Sequence, residues 1–174
     1  MKKFRRFQPT IPPMSIESDQ SIRIELTRRP VEAVDLGWPG PCGAEAVFLG
    51  RTRVETHPEH GKLIRLEYEA YEPMARSLLR EMAEQACEQF GCHAVRIAHA
   101  LGAVQPGEAS VVIQTATPHR SEAFDACRYL IDRIKHELPV WKRELWERGE
   151  TWVEGCCAHH ESDRLDPRPA QKGA

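Results

Sequence analysis

No stretch of this chain comes near the roughly eighteen consecutive apolar residues that a membrane-spanning helix needs. Nor does one sign of charge prevail: 24 Lys and Arg stand against 26 Asp and Glu, a formal net charge of -2. That excludes a nucleic-acid binder working through bulk positive charge and leaves only local basic patches. The opening residues, MKKFRRFQPTIPPMSIESDQ, have a basic start but no apolar middle of the kind a secretory signal carries. A cytoplasmic protein is therefore expected, with its six cysteines reduced. Internal repeats, a dinucleotide-binding glycine fingerprint, a phosphate-binding P-loop and a Gly-x-Ser-x-Gly elbow are all missing. No cysteine sits in a recognisable activating context.

What is present reads as one domain. Apolar residues make up 41% of 174, enough for a single core. Residues 1–20 are expected to form a flexible arm, 156–174 a flexible tail, and 21–155 the folded domain. Strict alternation predicts strands at Ser21–Thr27 and Leu63–Tyr71, and apolar runs predict them at Ala44–Arg53, Ala94–Leu101 and Ala109–Thr117. The polar loop ETHPEHGK is expected to join two paired strands, 44–53 and 63–71. PVEAVDLGW is expected to form a short helix opening at Pro30.

Helical spacing predicts one long helix over Pro73–Phe90, with Met74, Ala75, Leu78, Leu79, Met82, Ala86 and Phe90 as its core stripe. A second runs over Ser121–Leu138, burying Phe124, Cys127, Leu130, Ile131 and Ile134, and stops at Pro139. VWKRELW and TWVEG read as strands about the turn ERGE. Several links are too short for a parallel crossover, so the expected class is α+β with a mixed or antiparallel sheet and two long helices.

Three places carry chemistry. In TATPHRSEAF, His119 and Arg120 fall where a strand turns into a helix, and free N–H groups at a helix start favour an anion. Arg120 adds a planar donor fork, and His119 a hydrogen bond or a mobile proton; the bland alternative is a solvated arginine and a turn histidine. Lys135 and Lys142 flank the reversal at Pro139, where two amines in one cleft would depress each other's pKa and supply an acid or base. The alternative is a cation at a helix C-terminus plus an exposed strand lysine. Arg51 and Arg53 share a strand face, and either could reach a phosphate or be solvated. The tail motif CCAHH, Cys156 to His160, invites zinc, but no second ligand pair accompanies it, so no metal site is expected.

Several segments together resemble one family. VFLGRTR, LEYEAYEPMA, HALG, PGEASVVI, HRSEAFDACRYLIDRIK and PVWKRE followed by TWVE occur in the order found in the large, catalytic subunits of molybdopterin synthase. The resemblance covers about Ile22 to Glu154 and implies an α/β hammerhead-type fold. It implies an enzyme that converts cyclic pyranopterin monophosphate into molybdopterin by adding two sulfurs, with no resident cofactor. The sulfur would come from the thiocarboxylated Gly-Gly terminus of a small ubiquitin-like partner subunit. A homodimer of large subunits within a heterotetramer is the implied assembly.

Matched position by position, the implied active-site residues are Arg53, His119, Arg120, Lys135 and Lys142. His119, Arg120 and Arg53 would bind substrate. Lys135 would meet the thiocarboxylate, and Lys142 would move protons. The chain departs from the family after Arg53, where Val54 and Glu55 replace an asparagine common there, and its following loop carries His57 and His60. Three of the four tryptophans fall in 138–155. Trp141 and Trp152 are expected to pack behind the cleft and Trp146 to meet a partner, with core packing of a hairpin as the alternative for all three. A non-catalytic adaptor for the ubiquitin-like protein and a zinc module built on CCAHH are the other two readings.

Overall fold

The computed structural model describes residues 21–37 and 40–153. The arm, the tail and CCAHH lie outside them. The elements are β1 (Ser21–Thr27), β2 (Ala44–Arg51), β3 (Thr56–His57), β4 (Gly61–Ala70), α1 (Glu72–Phe90), β5 (Ala94–Ala100), β6 (Gly102–Val104), β7 (Ala109–Thr117), α2 (Arg120–Glu137), β8 (Val140–Trp146) and β9 (Gly149–Val153). This is the expected α+β, hammerhead-type architecture. No helix among the described residues is long and apolar enough to cross a membrane.

A four-stranded sheet runs in the order β1-β5-β7-β2. Only β1 and β5 are parallel; β5 pairs antiparallel with β7, and β7 with β2. One face carries both helices. Leu79 and Met82 of α1 and Leu130, Ile131 and Ile134 of α2 close on Ile24, Val95, Ile97, Val111 and Ile113. Each such fully buried side chain contributes about 1.5–3 kcal/mol of transfer free energy. Cys127 is the small core residue expected, its thiol pushed up to about 11 by burial. Met74 and Phe124 are not core: they are 52% and 65% exposed, each on a flank of its helix that no other element among the described residues covers.

The other face of this sheet is covered by residues 31–36, which form neither helix nor strand. The reason is tertiary. Gln114 accepts from the Val34 N–H (3.0 Å) and donates to the Val34 carbonyl (2.7 Å), and Arg96 donates to the Glu32 carbonyl (3.0 Å). These side chains take the backbone groups a helix would have used internally, while Val31 packs on Ala98 and Val112 and Leu36 on Ala94 and Ala116. Arg96 is buried and is compensated by a two-pronged pair with Glu25 (2.8 and 2.9 Å), which holds the Glu25 carboxyl below its usual range.

A second sheet has the order β3-β4-β8-β9, with β6 also on β4. Strands 44–51 and 61–70 do not pair with each other, contrary to expectation: β2 joins β7 in the first sheet, and β4 belongs to the second. The loop between them crosses from one sheet to the other. Pro139 ends α2 as expected, leaving Leu138 extended (φ -75°, ψ 121°).

Candidate functional site

The β7–α2 junction is tightly held. The Thr117 hydroxyl donates to the His119 carbonyl (2.7 Å), and the Gly43 N–H lies 3.1 Å from both the Thr117 and Pro118 carbonyls. A Cβ at Gly43 would fall 2.5 Å from the Pro118 oxygen, so only glycine lets the start of β2 approach this turn. His119 is the extended residue just before α2 and makes no side-chain cap; Arg120, not Ser121, opens the helix. Both side chains are exposed beside the unpaired N–H groups of the first turn, a setting that favours an anion.

Lys135 and Lys142 lie at the other end of α2. Lys135 is exposed in the last turn. Past the reversal at Leu138–Pro139, the chain enters β8, where Val140, Lys142, Glu144 and Trp146 alternate onto one face. Lys142 sits opposite Tyr68 of β4, and its Nζ lies 3.4 Å from Glu144 Oε1. Glu144 is itself fixed: the Thr151 hydroxyl donates to its Oε2 (3.1 Å) and accepts from Trp146 Nε1–H (2.9 Å). A buried indole thus orients a hydroxyl, which orients a carboxylate beside an ammonium.

Glu144 and Thr151 were missed by sequence reasoning. The signal for Glu144 was its spacing of two from Lys142 on a strand; Thr151 has none before the β8–β9 register is known. Of the three tryptophans, only Trp146 takes the core packing expected as the alternative for all of them. Trp146 is buried against Leu63 and Leu66, whereas Trp141 and Trp152 are 49% and 54% exposed. Their positions on β8 and β9 face away from the core, and Trp152 lies against the Arg143 guanidinium (5.3 Å).

Arg53 is also at the Lys135 end. It stands just past β2, exposed and paired with Glu55 (2.8 Å), where Thr52 is pinned to Glu108 and Gly107 at the start of β7. Arg51 is committed to the Gly107 carbonyl (2.8 Å). The five expected residues therefore fall into two groups. Ala44 pairs with Thr117 and Arg51 with Ala109, so β2 begins beside His119–Arg120 and ends beside Arg53. Along α2, Arg120 and Lys135 are separated by about 22 Å at 1.5 Å per residue. One chain brings Arg53, Lys135 and Lys142 to one end of the molecule and His119 and Arg120 to the other. Among the described residues no group of three or more His, Cys, Asp or Glu could hold a metal ion.

The structure thus defines a two-sheet α+β domain with cationic groups at both ends of one helix. The MoaE protein family model matches residues 20–137. The molybdopterin synthase catalytic subunit of Bacillus subtilis is 38% identical over 75% of this chain and 84% of its own length. That of Pyrococcus abyssi is 33% identical over 76% and 92%. Among solved structures, molybdopterin synthase from Staphylococcus aureus superposes with a TM-score of 0.66 at 33% identity, covering 75% of this chain and 96% of that one. The MoaE protein of Burkholderia ambifaria gives 0.64 at 26% identity, over 81% and 95%. The chain belongs to the MoaE family, whose members are catalytic subunits of molybdopterin synthase.

Proposed function

We propose that this chain works in the cytoplasm as the sulfur-transferring subunit of molybdopterin synthase, with residues 21–155 as its catalytic domain. It converts cyclic pyranopterin monophosphate into molybdopterin with two sulfurs taken from the thiocarboxylated terminus of a small ubiquitin-like partner. The name borne by its relatives, catalytic subunit, supports a second, carrier subunit.

The observation that carries this reading is the oriented pair of Lys142 and Glu144, 3.4 Å apart, on the same end of the fold as Lys135. An ammonium fixed by a carboxylate is poised to deliver or take up a proton as sulfur adds and oxygen leaves. Lys135, exposed in the last turn of α2, stabilises the incoming thiocarboxylate and the negative charge that develops on its carbonyl. The chain acts as a homodimer, in which Arg53 of one copy and His119 and Arg120 of the other hold the substrate's phosphate and pterin.

Reconstitution tests this: thiocarboxylated carrier and cyclic pyranopterin monophosphate are added to the protein, and the dithiolene product is assayed. Product from the natural chain, and none from Lys135→Ala or Lys142→Ala proteins of unchanged circular dichroism, is the expected result. Carrier binding without product would instead establish the adaptor.

A further inference from the structure

His57 and His60 stand on the loop where the sequence departs from its family pattern, and that loop is locked onto the hairpin bearing Lys142. The two rings stack with centroids 4.5 Å apart. His57 Nδ1 accepts from the Glu59 and His60 N–H groups (3.2 and 3.3 Å), which closes the β3–β4 turn. This turn grips the β8–β9 turn through reciprocal hydrogen bonds. The Arg148 N–H donates to the His60 carbonyl (2.9 Å), and His60 Nδ1–H donates to the Arg148 carbonyl (2.7 Å). The Glu147 N–H donates to the Lys62 carbonyl (3.0 Å), and the Lys62 N–H donates to Glu147 Oε2 (3.1 Å). Gly61 permits the approach: its φ is 82°, and a Cβ there would fall 2.5 Å from Glu147 Oε2. β9 is the last strand of its sheet, and among the described residues only β8 lies beside it, so the joined turns give the hairpin a second hold.

The hold reaches Trp146. Its indole is packed by Leu63 and Leu66, and the His57 ring lies 5.4 Å from it. With the ring fixed, Nε1–H points to the Thr151 hydroxyl (2.9 Å), whose own proton goes to Glu144 Oε2 (3.1 Å). The polarity of this chain has one solution, because an indole can only donate and a carboxylate can only accept. Glu144 Oε1 is left facing Lys142 Nζ at 3.4 Å. We propose that Trp146 and Thr151 are positioning residues for sulfur transfer, buttressed by the His57–His60 turn, and that all of them act through Glu144 to aim the Lys142 ammonium. A group that aims a proton donor acts on the rate rather than on substrate affinity. The two loop histidines thereby gain a role 85 and 82 residues in sequence from the lysine they serve, through Trp146, a tryptophan that the β8–β9 turn keeps inside.

This rests on the sulfur-transfer reading, and its test separates the two. Natural chain, thiocarboxylated carrier and cyclic pyranopterin monophosphate are assayed first; absence of product there refutes the sulfur-transfer reading and the relay with it. Given product, Thr151→Val, which keeps the shape and removes the hydroxyl, is expected to lower kcat about fivefold with KM unchanged, the worth of one hydrogen bond. Thr151→Ser should restore the rate. His57→Ala, which removes a ring contact, should lower kcat about twofold, again with KM unchanged. The deciding measurement is a double-mutant cycle. In a Glu144→Ala chain no carboxylate is left to orient, so adding Thr151→Val or His57→Ala should cost nothing further. Losses that multiply in full on that background, or a Thr151→Val chain with natural kcat, overturn the relay. Hydrogen exchange of the Trp146 indole N–H, read by nitrogen-15 NMR and assigned with Trp146→Phe, needs no turnover. It should quicken in His57→Ala, and an unchanged rate there overturns the buttress.

Discussion

Strands β5 and β7 bury every residue they contain, whereas β8 buries only its two ends, Val140 and Trp146. The first pair forms the middle of a sheet covered on both faces, so its polar members must be satisfied internally. Arg96 and Gln114 bind the 31–36 segment, and Thr115 donates to the Ala123 carbonyl of α2 (2.9 Å). The outward face of the second sheet is laced with charge in water. Glu67 is bound by Arg65 and Arg143, chiefly by the Arg143 hydrogen bond, which holds its carboxyl below the usual range, and Arg143 reaches on to Glu150. Side chains changed in the first region leave holes or unpaired groups; those changed in the second are resolvated.

The sharpest break of this contrast is Lys142→Ala. Loss of a group that acts on the transition state costs on the order of a thousandfold in rate, equivalent to about 4 kcal/mol. Product assays should show that loss while urea unfolding changes by less than about 1 kcal/mol, since a half-exposed ion pair contributes little. Ile113→Ala is the mirror experiment. Its side chain is fully buried, and urea titration should show a loss of about 3 kcal/mol. Glu144→Gln keeps the shape but removes the charge beside Lys142; about a tenfold lower rate is expected, with rescue by Glu144→Asp read from the same assay.

A weaker effect is expected with acid. Burial lowers the pKa of His99, whose Nδ1–H donates to the Ala100 carbonyl (2.8 Å). Its folded pKa lies below its unfolded one, so the unfolded state takes up protons first. Stability is then full above the unfolded histidine pKa and falls as pH drops through it. Glu25, lowered by Arg96, adds a further loss at more acidic pH. Melting temperatures from pH 8 to 5 should fall, and His99→Phe should flatten the upper part of that slope. The smallest change is Glu150→Gln, which removes a 3.3 Å contact to Arg143 at the surface and should alter stability by no more than about 0.5 kcal/mol.

Both helices, the longer strands and the junction at His119–Arg120 were legible in the sequence, because periodicity, proline and glycine act on neighbours within a few residues. Gly91, for example, ends α1 in the left-handed region (φ 65°), as its place after Phe90 predicts. Lys135 and Lys142 were legible as lysines on either side of the helix stop at Pro139. Glu144 was visible in the same motif but had no assigned partner until its carboxylate was found held between Thr151 and Lys142.

The amino-acid order by itself determined the two long helices, the longer strands and which charged residues stand at their ends. Only the tertiary structure decided that residues 31–36 form no helix, that β2 pairs with β7 rather than β4, that Trp146 is buried while Trp141 and Trp152 are not, and that the expected site residues divide between two ends. The physical reason is range. A helix or strand is set by contacts a few residues apart, whereas a strand's partner, a side chain's burial and the distance between two functional groups depend on residues remote in sequence, such as Gln114 for Val34 or Thr117 for Ala44.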